Sequence, residues 1–220
     1  MTRYVITGAS RGIGLAMARL LSEDGVEVIA AVRRPTPDLE AVGCEIAAGV
    51  DVTSDDGAAV LVEALNGRHV DVLINNAGLL IPDTLDSLDF AAALRQYEIN
   101  ALGPLRISRA LLPLMGEGGK IGIVTSRVGS LGDNRSGGNY GYRMSKAAAN
   151  MAARNLAIEL KEKGIAVAAL HPGYVRTAMT GGRGNIDAEP AAKGLLLRIE
   201  ELGLETTGTF WHAEGYELPW

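Results

Sequence analysis

Strand-like and helix-like segments alternate along the whole chain, and this alternation constrains the fold more than any other feature. The strand-like runs are short and almost wholly apolar, as in Val26 to Val32 and Val70 to Ile74. Runs without a polar face must be buried on both sides, and strands separated by helices can pair in parallel through crossovers. The pattern predicts an α/β fold of the Rossmann type: a doubly wound parallel β-sheet flanked by helices on both faces, with residues 1–220 as a single domain.

The spacing of apolar residues, helical in some segments and strand-like in others, predicts the remaining helices and strands. One long helix is expected over Ser87 to Met115, bent or interrupted near Gly103-Pro104 because proline cannot continue the helical hydrogen bonding. The other predicted helices are Gly12 to Glu23, Ser54 to Leu65, Tyr142 to Lys163 and Ala188 to Leu202. The other predicted strands are Tyr4 to Ile6, Ile46 to Val50, Ile121 to Thr125, Ile165 to Leu170 and a short one near Thr209-Phe210.

Composition and charge narrow the functional classes. The net charge of −5 argues against nucleic acid or an anionic membrane surface as the main partner. The single cysteine, Cys44, can form no disulfide within the chain and has no clustered partners, so no metal site is predicted. The apolar run after Met1 is too short for a signal peptide, and no stretch approaches the roughly 20 apolar residues of a membrane span. We therefore expect a cytoplasmic protein.

A glycine-rich turn, Thr7 to Gly14, follows the first predicted strand and leads into a helix. Its Gly-x-x-x-Gly-x-Gly spacing allows tight backbone geometry and close approach by a pyrophosphate. The helix directs free N–H groups and its positive dipole end at that anion. The alternative is a glycine-rich turn without a ligand. The residues expected to hold the cofactor phosphates are Gly8, Ser10, Arg11, Gly12, Ile13 and Gly14.

The end of the second predicted strand bears on the choice of cofactor. It reads Val32-Arg33-Arg34, without the Asp or Glu that accepts hydrogen bonds from the ribose hydroxyls in NAD-binding proteins. Arginine suits a 2′-phosphate, since its planar guanidinium can make two parallel hydrogen bonds. NADP(H) is therefore favoured over NAD(H), with Arg33 and Arg34 as ligands and Arg11 within reach of the same phosphate. The alternative is that Arg33 and Arg34 are solvated loop charges.

Tyr142 and Lys146 lie four positions apart in a predicted helix, which places both on one face, one turn apart. A nearby ammonium favours the phenolate and so lowers the pKa of a tyrosine from its usual value of about 10. Such a tyrosine donates a proton to a carbonyl, or accepts one from an alcohol, more readily near neutral pH. By itself, the spacing also fits an ordinary solvated pair on a helix.

Several motifs occur together in one order along nearly the whole chain. They are Thr7 to Gly14, Asn75 to Gly78, Asn100, Ser126, Tyr142 with Lys146, and His171-Pro172-Gly173. In that order they resemble the short-chain dehydrogenase/reductase family, and the segment from Ser126 to Tyr142 resembles the branch with C-factor-like and sniffer-like carbonyl reductases. The resemblance implies an NADP(H)-dependent oxidoreductase, a carbonyl reductase or alcohol dehydrogenase with a small-molecule substrate.

The resemblance also implies roles for individual residues. Tyr142 would be the general acid in reduction and the base in oxidation, while Lys146 would lower its pKa and hold the nicotinamide ribose. Ser126 would orient the substrate carbonyl, and Asn100 would hold a water that links Lys146 to solvent. The adenosine side would be lined by Asp51, Val52, Asn76, Ala77 and Gly78, and the carboxamide end of the nicotinamide by Pro172, Gly173, Val175 and Thr177.

Several of these residues have a purely structural alternative. Asn100 can satisfy backbone groups at a helix kink, Asp51 can cap a helix, and Ser126 can make a local turn hydrogen bond. Tyr140 has no lysine four residues further on, so it is expected to line the substrate cleft rather than to act in catalysis. His171 is expected to be a buried, hydrogen-bonded structural residue.

The chain departs from the family pattern in two places. Ser126 and Tyr142 are separated by more residues than is usual, and the surplus, Asp133 to Asn139, has the Gly, Asn and Ser composition of a surface loop. We expect it to loop out without moving Ser126. The segment 178–189 is short and glycine-rich, which predicts a mobile flap over an open cleft.

The sequence is compatible with two modes of action and with more than one oligomeric state. A protein that keeps this fold but works by binding a nucleotide and a signalling partner is an alternative to an enzyme, because a catalytic fold can also serve as a signal. Apolar stretches at Ala91 to Leu94 and Ala147 to Leu156 permit a homodimer or homotetramer, although a core-facing stripe would look the same.

Overall fold

The computed structural model describes residues 2–220, and the strands there form one seven-stranded sheet. They are β1 (Arg3–Thr7), β2 (Glu27–Val32), β3 (Glu45–Ala48), β4 (Val72–Asn75), β5 (Lys120–Val124), β6 (Ala166–His171) and β7 (Phe210–His212). Neighbouring strands follow the order β3-β2-β1-β4-β5-β6-β7, and each pair is parallel. The chain therefore starts in the middle of the sheet, winds outward to β3, crosses back, and winds outward to β7.

Helices cover both faces of this sheet. They are α1 (Gly12–Glu23), α2 (Pro37–Glu40), α3 (Asp55–Leu65), α4 (Phe90–Tyr97), α5 (Gly103–Leu111), α6 (Tyr140–Leu160) and α7 (Ala188–Glu200). Alternate strand residues face opposite ways, so Val5 lies in the core beneath α3, α5 and α6, while Ile6 lies in the core beneath α1 and α7. The predicted doubly wound sheet with helices on both faces is confirmed.

The predicted long helix over Ser87 to Met115 is interrupted, as expected, beside Gly103-Pro104. A π-helical turn, Glu98–Leu102, separates α4 from α5. Proline lacks the N–H that a continuing α-helix needs, and an extra residue in the turn accommodates the defect. The helix starts later than predicted, at Phe90, because Asp89 Oδ1 accepts from the N–H groups of Ala91 and Ala92 at 2.8 and 3.3 Å.

The other boundaries differ from the prediction by a few residues. α6 begins at Tyr140 rather than Tyr142, and its last predicted turn, Lys161–Lys163, is 3₁₀-helical. Such ends are set by capping partners rather than by apolar periodicity, so sequence places them poorly. The short helix α2 was not predicted. It starts at a proline, and Thr36 Oγ1 caps it by accepting from the N–H of Leu39 at 3.4 Å.

Within residues 2–220, no helix has both the length and the apolar character that crossing a bilayer requires. The same part of the chain contains no group of three or more His, Cys, Asp or Glu side chains placed to hold a metal ion.

Candidate active site

The predicted site residues gather at the carboxyl ends of four neighbouring strands. Thr7 ends β1, Asn75 ends β4, Ser126 follows β5 by two residues, and His171 ends β6. Because these strands are parallel and adjacent, their carboxyl ends lie on one edge of the sheet, where α/β proteins bind their ligands. The site is thus built from residues that lie far apart in sequence.

The glycine turn packs directly against the segment that follows β4. A Cβ on Gly8 would lie 2.7 Å from Cα of Ala77, and a Cβ on Gly14 would lie 2.4 Å from Nδ2 of Asn76. Gly8 and Gly12 also have φ of +69° and +58°, a region that side chains rarely adopt. These positions need glycine, and the result is a cradle of bare backbone in front of α1.

Thr7 and Asn76 fasten the turn to this segment. The Thr7 hydroxyl accepts from the N–H groups of Asn76 and Ala77 at 3.0 and 3.1 Å. Asn76 Nδ2 donates to the carbonyls of Thr7 and Gly8 at 3.0 and 3.1 Å. Gly78, which follows Ala77, packs on Asn100: a Cβ on Gly78 would lie 3.3 Å from Oδ1 of Asn100. The Asn76 side chain therefore braces the turn, and Ala77 supplies the surface on which Gly8 rests.

The start of α1 leaves hydrogen-bond donors free for an anion. Arg11 precedes the helix in extended conformation and makes no side-chain capping hydrogen bond. The N–H groups of Gly12, Ile13 and Gly14, together with the positive end of the helix dipole, suit a pyrophosphate. A Cβ on Gly12 would lie 3.4 Å from Cγ2 of Thr177. The predicted nicotinamide segment therefore faces the predicted phosphate turn.

A cavity of about 360 Å³ lies at the carboxyl ends of β2 and β3, and its polar lining consists of Arg33, Asp51, Thr53, Arg95 and Glu98. Asp51 accepts from the N–H and the hydroxyl of Thr53 at 2.9 and 2.7 Å. These bonds, and then the charges of Arg33 and Arg95, hold the pKa of the Asp51 carboxyl below its usual range. Two carboxyl groups and two guanidinium groups thus line one cavity.

Asp51 does not cap the helix that follows it, so that alternative is wrong. The cap of α3 is Ser54, whose hydroxyl accepts from the N–H of Gly57 at 3.0 Å. Val52, beside Asp51, is buried, and a Cβ on Gly103 would lie 3.0 Å from its Cγ2. Arg33 and Arg34 are both exposed, as in the alternative of solvated loop charges, but only Arg33 is part of the cavity lining.

The side chain of Asn100 is buried in the π-helical turn and is engaged by the protein. Its Oδ1 accepts from the N–H of Leu79 at 2.8 Å. Its Nδ2 donates to the carbonyl of Leu79 at 2.8 Å and to Oγ of Ser145 at 2.9 Å. These hydrogen bonds support the alternative in which the Asn100 amide satisfies backbone groups near a helix kink. The expected water between Asn100 and Lys146 stays a prediction.

Ser126, Tyr142 and Lys146 come together where β5 ends against α6. Lys146 Nζ donates to the carbonyl of Val124 at 2.9 Å and lies 5.7 Å from the centroid of the Tyr142 ring. The Ser126 side chain lies near the Tyr142 hydroxyl, close enough to oppose the rise in the pKa of that hydroxyl. Its Oγ also accepts from the N–H of Val128 at 3.3 Å, so the predicted local turn bond is present as well. Ser126 thus lies near Tyr142 and also stabilises the turn that follows β5.

Burial dominates the acid–base properties of this group. Desolvation raises the pKa of Tyr142 to about 12, and the nearby Ser126 side chain opposes this in part. Desolvation also lowers the pKa of Lys146 to about 8. In the protein without ligands, desolvation dominates the pKa of Tyr142, and Lys146 is not among the groups that shift it. The lowering of this pKa by Lys146 stays a prediction.

The surplus residues between Ser126 and Tyr142 form an exposed loop, as predicted. Arg143 holds this loop from within α6: it donates to the carbonyls of Gly138 and Val128 at 3.0 and 3.2 Å and to Oγ of Ser136 at 2.8 Å. The insertion therefore loops out and leaves Ser126 beside Tyr142.

The predicted nicotinamide segment, Pro172 to Thr177, leaves β6 through Gly173, which has φ of +88°. Thr180 Oγ1 accepts from the N–H of Thr177 at 3.1 Å and donates to the carbonyl of Val175 at 2.9 Å. Further on, the N–H of Arg176 donates to the carbonyl of Ile186 at 2.8 Å. The short flap is thus fastened at its base. Its mobility stays a prediction.

His171 is buried, as predicted, but its expected hydrogen bond is absent at Nδ1 within residues 2–220. Its ring meets that of His212 edge-on, with centroids 5.0 Å apart. Desolvation, with the charges of His212, Arg127 and Lys146, lowers the pKa of His171 to about 3. A neutral imidazole therefore stands beside the site.

Two residues that the sequence analysis did not single out shape the site. Ser145 accepts from Asn100, as described, and donates to the carbonyl of Tyr142 at 2.7 Å. Asp83 accepts hydrogen bonds from the first N–H groups of α6. No sequence signal marks either residue, because serines in helices and aspartates in loops are common.

Comparison with known proteins agrees with the motif-based expectation. A family model described as short chain dehydrogenase matches residues 3–186. The 1-hydroxy-2-glutathionyl-2-methyl-3-butene dehydrogenase of Rhodococcus sp. (strain AD45) is 45% identical over 226 residues, with 100% of both chains covered. The C-signal of Myxococcus xanthus is 45% identical over 154 residues, which cover 69% of this chain and 93% of that protein.

Solved structures share the fold over the full chain. The carbonyl reductase Sniffer of D. melanogaster has a TM-score of 0.90 at 27% identity, with 100% of both chains covered. An NADPH-bound carbonyl reductase from chicken fatty liver has a TM-score of 0.89 at 29% identity, covering 100% of this chain and 99% of that one.

Proposed function

This chain belongs to the short-chain dehydrogenase/reductase family and is an oxidoreductase, and from this premise we propose that it uses NADP(H) to move hydride to or from a carbonyl or alcohol carbon. Tyr142 is the proposed general acid and base. One observation carries the proposal: Ser126 lies near the Tyr142 hydroxyl, and Lys146 lies on the same face of α6 with its ammonium 5.7 Å from the centroid of the tyrosine ring.

The residues around the glycine turn fit a dinucleotide. Side chains at Gly8 and Gly14 would collide with Ala77 and Asn76, so glycine lets the turn keep its tight shape, and the first N–H groups of α1 suit a pyrophosphate there. The segment Pro172 to Thr177 faces this cradle and would hold the carboxamide end of the nicotinamide. When bound, the cofactor donates or accepts the hydride at its nicotinamide ring.

Tyr142 supplies the proton in reduction and removes it in oxidation. Its raised pKa keeps the hydroxyl protonated and able to donate. Lys146 holds its proton below about pH 8, so at neutral pH it is mostly cationic and stabilises the phenolate that remains after the proton has left. Ser126 orients the substrate oxygen toward the same hydroxyl.

Arg33 supports NADP(H) over NAD(H). It follows β2, lines the cavity beside Asp51, and is preceded by Val32 instead of an acidic residue. A 2′-phosphate at this position would pair with the guanidinium, whereas the ribose hydroxyl of NAD would find no carboxylate from β2. An NADPH-bound carbonyl reductase is among the similar structures.

The relatives suggest carbonyl and alcohol substrates. The Rhodococcus relative is named as the dehydrogenase of an alcohol that carries a glutathionyl group, and the similar structures are named carbonyl reductases. The assay therefore covers both directions. NADPH consumption is followed with 4-nitrobenzaldehyde, cyclohexanone and 9,10-phenanthrenequinone, and NADP⁺ reduction is followed with S-(2-hydroxyethyl)glutathione.

Tyr142→Phe tests the proposed chemistry. It is expected to lower turnover of the best substrate in this panel by about 10²- to 10⁴-fold, the usual contribution of a general acid or base. The Kd for NADPH, measured by fluorescence titration, should stay near that of the wild type. Tyr140→Phe is the matched control and should lose far less activity. Wild-type turnover in Tyr142→Phe would refute the mechanism.

The similarity to C-signal favours a second candidate function, in which the chain binds a nucleotide and acts through a signalling partner. The complete set of Ser126, Tyr142 and Lys146 makes it the weaker candidate, since binding alone needs no such arrangement. A partner captured equally by wild type and Tyr142→Phe, but lost on Gly12→Asp, would support it. Capture that is lost in Tyr142→Phe would count against it.

A further inference from the structure

The helix that carries Tyr142 begins without a cap of its own. Asn139 precedes α6 with φ of +48°, and its side chain makes no capping hydrogen bond. The first N–H groups of a helix have no partner within the helix and need an acceptor from elsewhere. Tyr142 is the third residue of α6, so it lies within the turn that such an acceptor holds.

Asp83 provides these acceptors from a distant part of the chain. Its carbonyl accepts from the N–H of Asn139 at 2.9 Å. One carboxylate oxygen accepts from the N–H of Tyr140, and the other accepts from the N–H of Gly141 at 3.0 Å. Hydrogen bonds to a carboxylate are stronger than those between neutral groups, and a negative charge suits the positive end of the helix dipole. Asp83 therefore accepts hydrogen bonds from three successive N–H groups before Tyr142.

The segment that contains Asp83 is fixed at two points before it. Leu79 is bonded through its N–H and its carbonyl to the buried amide of Asn100. The N–H of Ile81 donates to Oε1 of the buried Gln96 at 2.9 Å. Leu79 and Ile81 are thus each fixed by hydrogen bonds, and these bonds restrict the movement of the segment that carries the Asp83 carboxylate.

The start of α6 also has no room to move toward α4. A Cβ on Gly141 would lie 2.5 Å from Nε2 of Gln96 and 2.9 Å from Cα of Ala93. The first turn of α6 is therefore packed against α4 and bonded to Asp83. A small shift of this turn would change the contact between Tyr142 and Ser126.

We propose that Asp83 is a positioning residue for Tyr142. Its carboxylate fixes the first turn of α6 and, through it, the position of the Tyr142 hydroxyl near Ser126. Lys146 lies in the next turn, where the hydrogen bonds of the helix interior hold it without Asp83. Loss of the carboxylate therefore acts on Tyr142 and leaves the glycine turn and Lys146 in place. The inference rests on the proposed role of Tyr142 as acid and base.

The first test compares Asp83→Ala with Asp89→Ala. Asp89 is also a capping carboxylate that accepts from two N–H groups, but it caps α4, which carries none of the reacting groups. Asp83→Ala is expected to lower kcat by roughly 10- to 100-fold, because small misplacements of a reacting group have effects of that size. The Kd for NADPH should stay near wild type. Asp89→Ala should lower the Tm to a similar extent with little change in kcat.

A double-mutant cycle shows whether Asp83 acts through Tyr142. In the Tyr142→Phe background, Asp83→Ala is expected to reduce the residual turnover no further, because the group that it positions is already gone. A general structural effect would lower the residual turnover by the same factor as in the wild type. Asp83→Asn, which keeps one acceptor oxygen, is expected to fall between Asp83→Ala and wild type, and it replaces Asp83→Ala in the cycle if that variant does not fold.

The outcomes separate this inference from the proposed function. If Tyr142→Phe keeps wild-type turnover, the catalytic role of Tyr142 fails and the positioning role of Asp83 fails with it. If Tyr142→Phe is impaired but Asp83→Ala lowers kcat no more than Asp89→Ala, only the positioning role is overturned. Equal effects of Asp83→Ala in both backgrounds overturn it as well.

Discussion

The ammonium of Lys146 lies 5.7 Å from the centroid of the Tyr142 ring, one helical turn further along α6. Both groups are affected by burial in the same sense, since each is driven toward its neutral form. Burial of these two groups therefore reduces the free energy of unfolding by an amount that depends on pH.

Lys146→Met is predicted to change how stability depends on pH. Folding lowers the Lys146 pKa from 10.5 to about 8, so between these values the unfolded chain holds a proton that the folded protein lacks. The contribution of Lys146 to the free energy of unfolding then rises with pH by up to about 1.4 kcal/mol per pH unit. Wild type should gain stability relative to Lys146→Met between about pH 8 and pH 10 in urea unfolding. A constant difference would contradict the prediction.

His171→Asn is predicted to flatten the loss of stability in acid. Folding lowers the His171 pKa from 6.5 to about 3, so within this range the unfolded chain binds a proton that the folded protein excludes. The stability that His171 contributes is present above about pH 6.5 and is lost toward pH 3, at up to about 1.4 kcal/mol per pH unit. Thermal unfolding at pH 4 to 6.5 measures the slope. An unchanged slope in His171→Asn would show that other groups cause it.

Gly129→Ala is predicted to disturb both stability and turnover. A Cβ on Gly129 would lie 2.6 Å from the carbonyl carbon of Lys146 and 2.8 Å from the backbone nitrogen of Ala147. The turn after Ser126 must then move away from α6, at a cost of about 1–3 kcal/mol. Gly132→Ala is the control, since its Cβ would meet nothing closer than 3.6 Å. Urea unfolding and kcat should both single out Gly129→Ala, and equal behaviour of the two variants would contradict the close packing.

Arg33→Ala is predicted to reduce the preference for NADPH. Removal of a charge-assisted contact with the 2′-phosphate should weaken NADPH binding by about 10- to 100-fold and leave NADH binding nearly unchanged. Arg34→Ala should have a smaller effect, because Arg34 lies outside the cavity lining. Fluorescence titration with both cofactors measures the preference. Wild-type protein that binds NADH as tightly as NADPH would overturn the argument.

The alternation of strands and helices and the glycine turn could be predicted because their signals are local. Apolar runs separated by helical periodicity leave few topologies, and the turn from Thr7 to Gly14 is marked by its own glycines. Tyr142 and Lys146 were found for the same reason, as their spacing lies within one helix. The insertion before Tyr142 was also recognised as a loop from its composition.

Features that depend on distant contacts could not be predicted. The cap of α6 is Asp83, which lies 57 positions before Tyr140, and no local pattern links the two. The start of α4 depends on Asp89, and the raised pKa of Tyr142 depends on burial that arises only in the assembled fold. Spacing within a helix indicates which charges are near a group, but it does not reveal how much water the fold removes from it.

The hydrogen bonds from Asn76 and Ala77 to the Thr7 hydroxyl have a consequence for the order in which the chain matures. During synthesis, β1 and its turn emerge first, yet the surface on which the turn rests is not made until β4 has followed. A nascent chain that ends before β4 would leave one edge of β1 unpaired and its turn unsupported. Nucleotide would therefore stabilise only chains in which β4 has docked, and chaperones would meet the earlier ones.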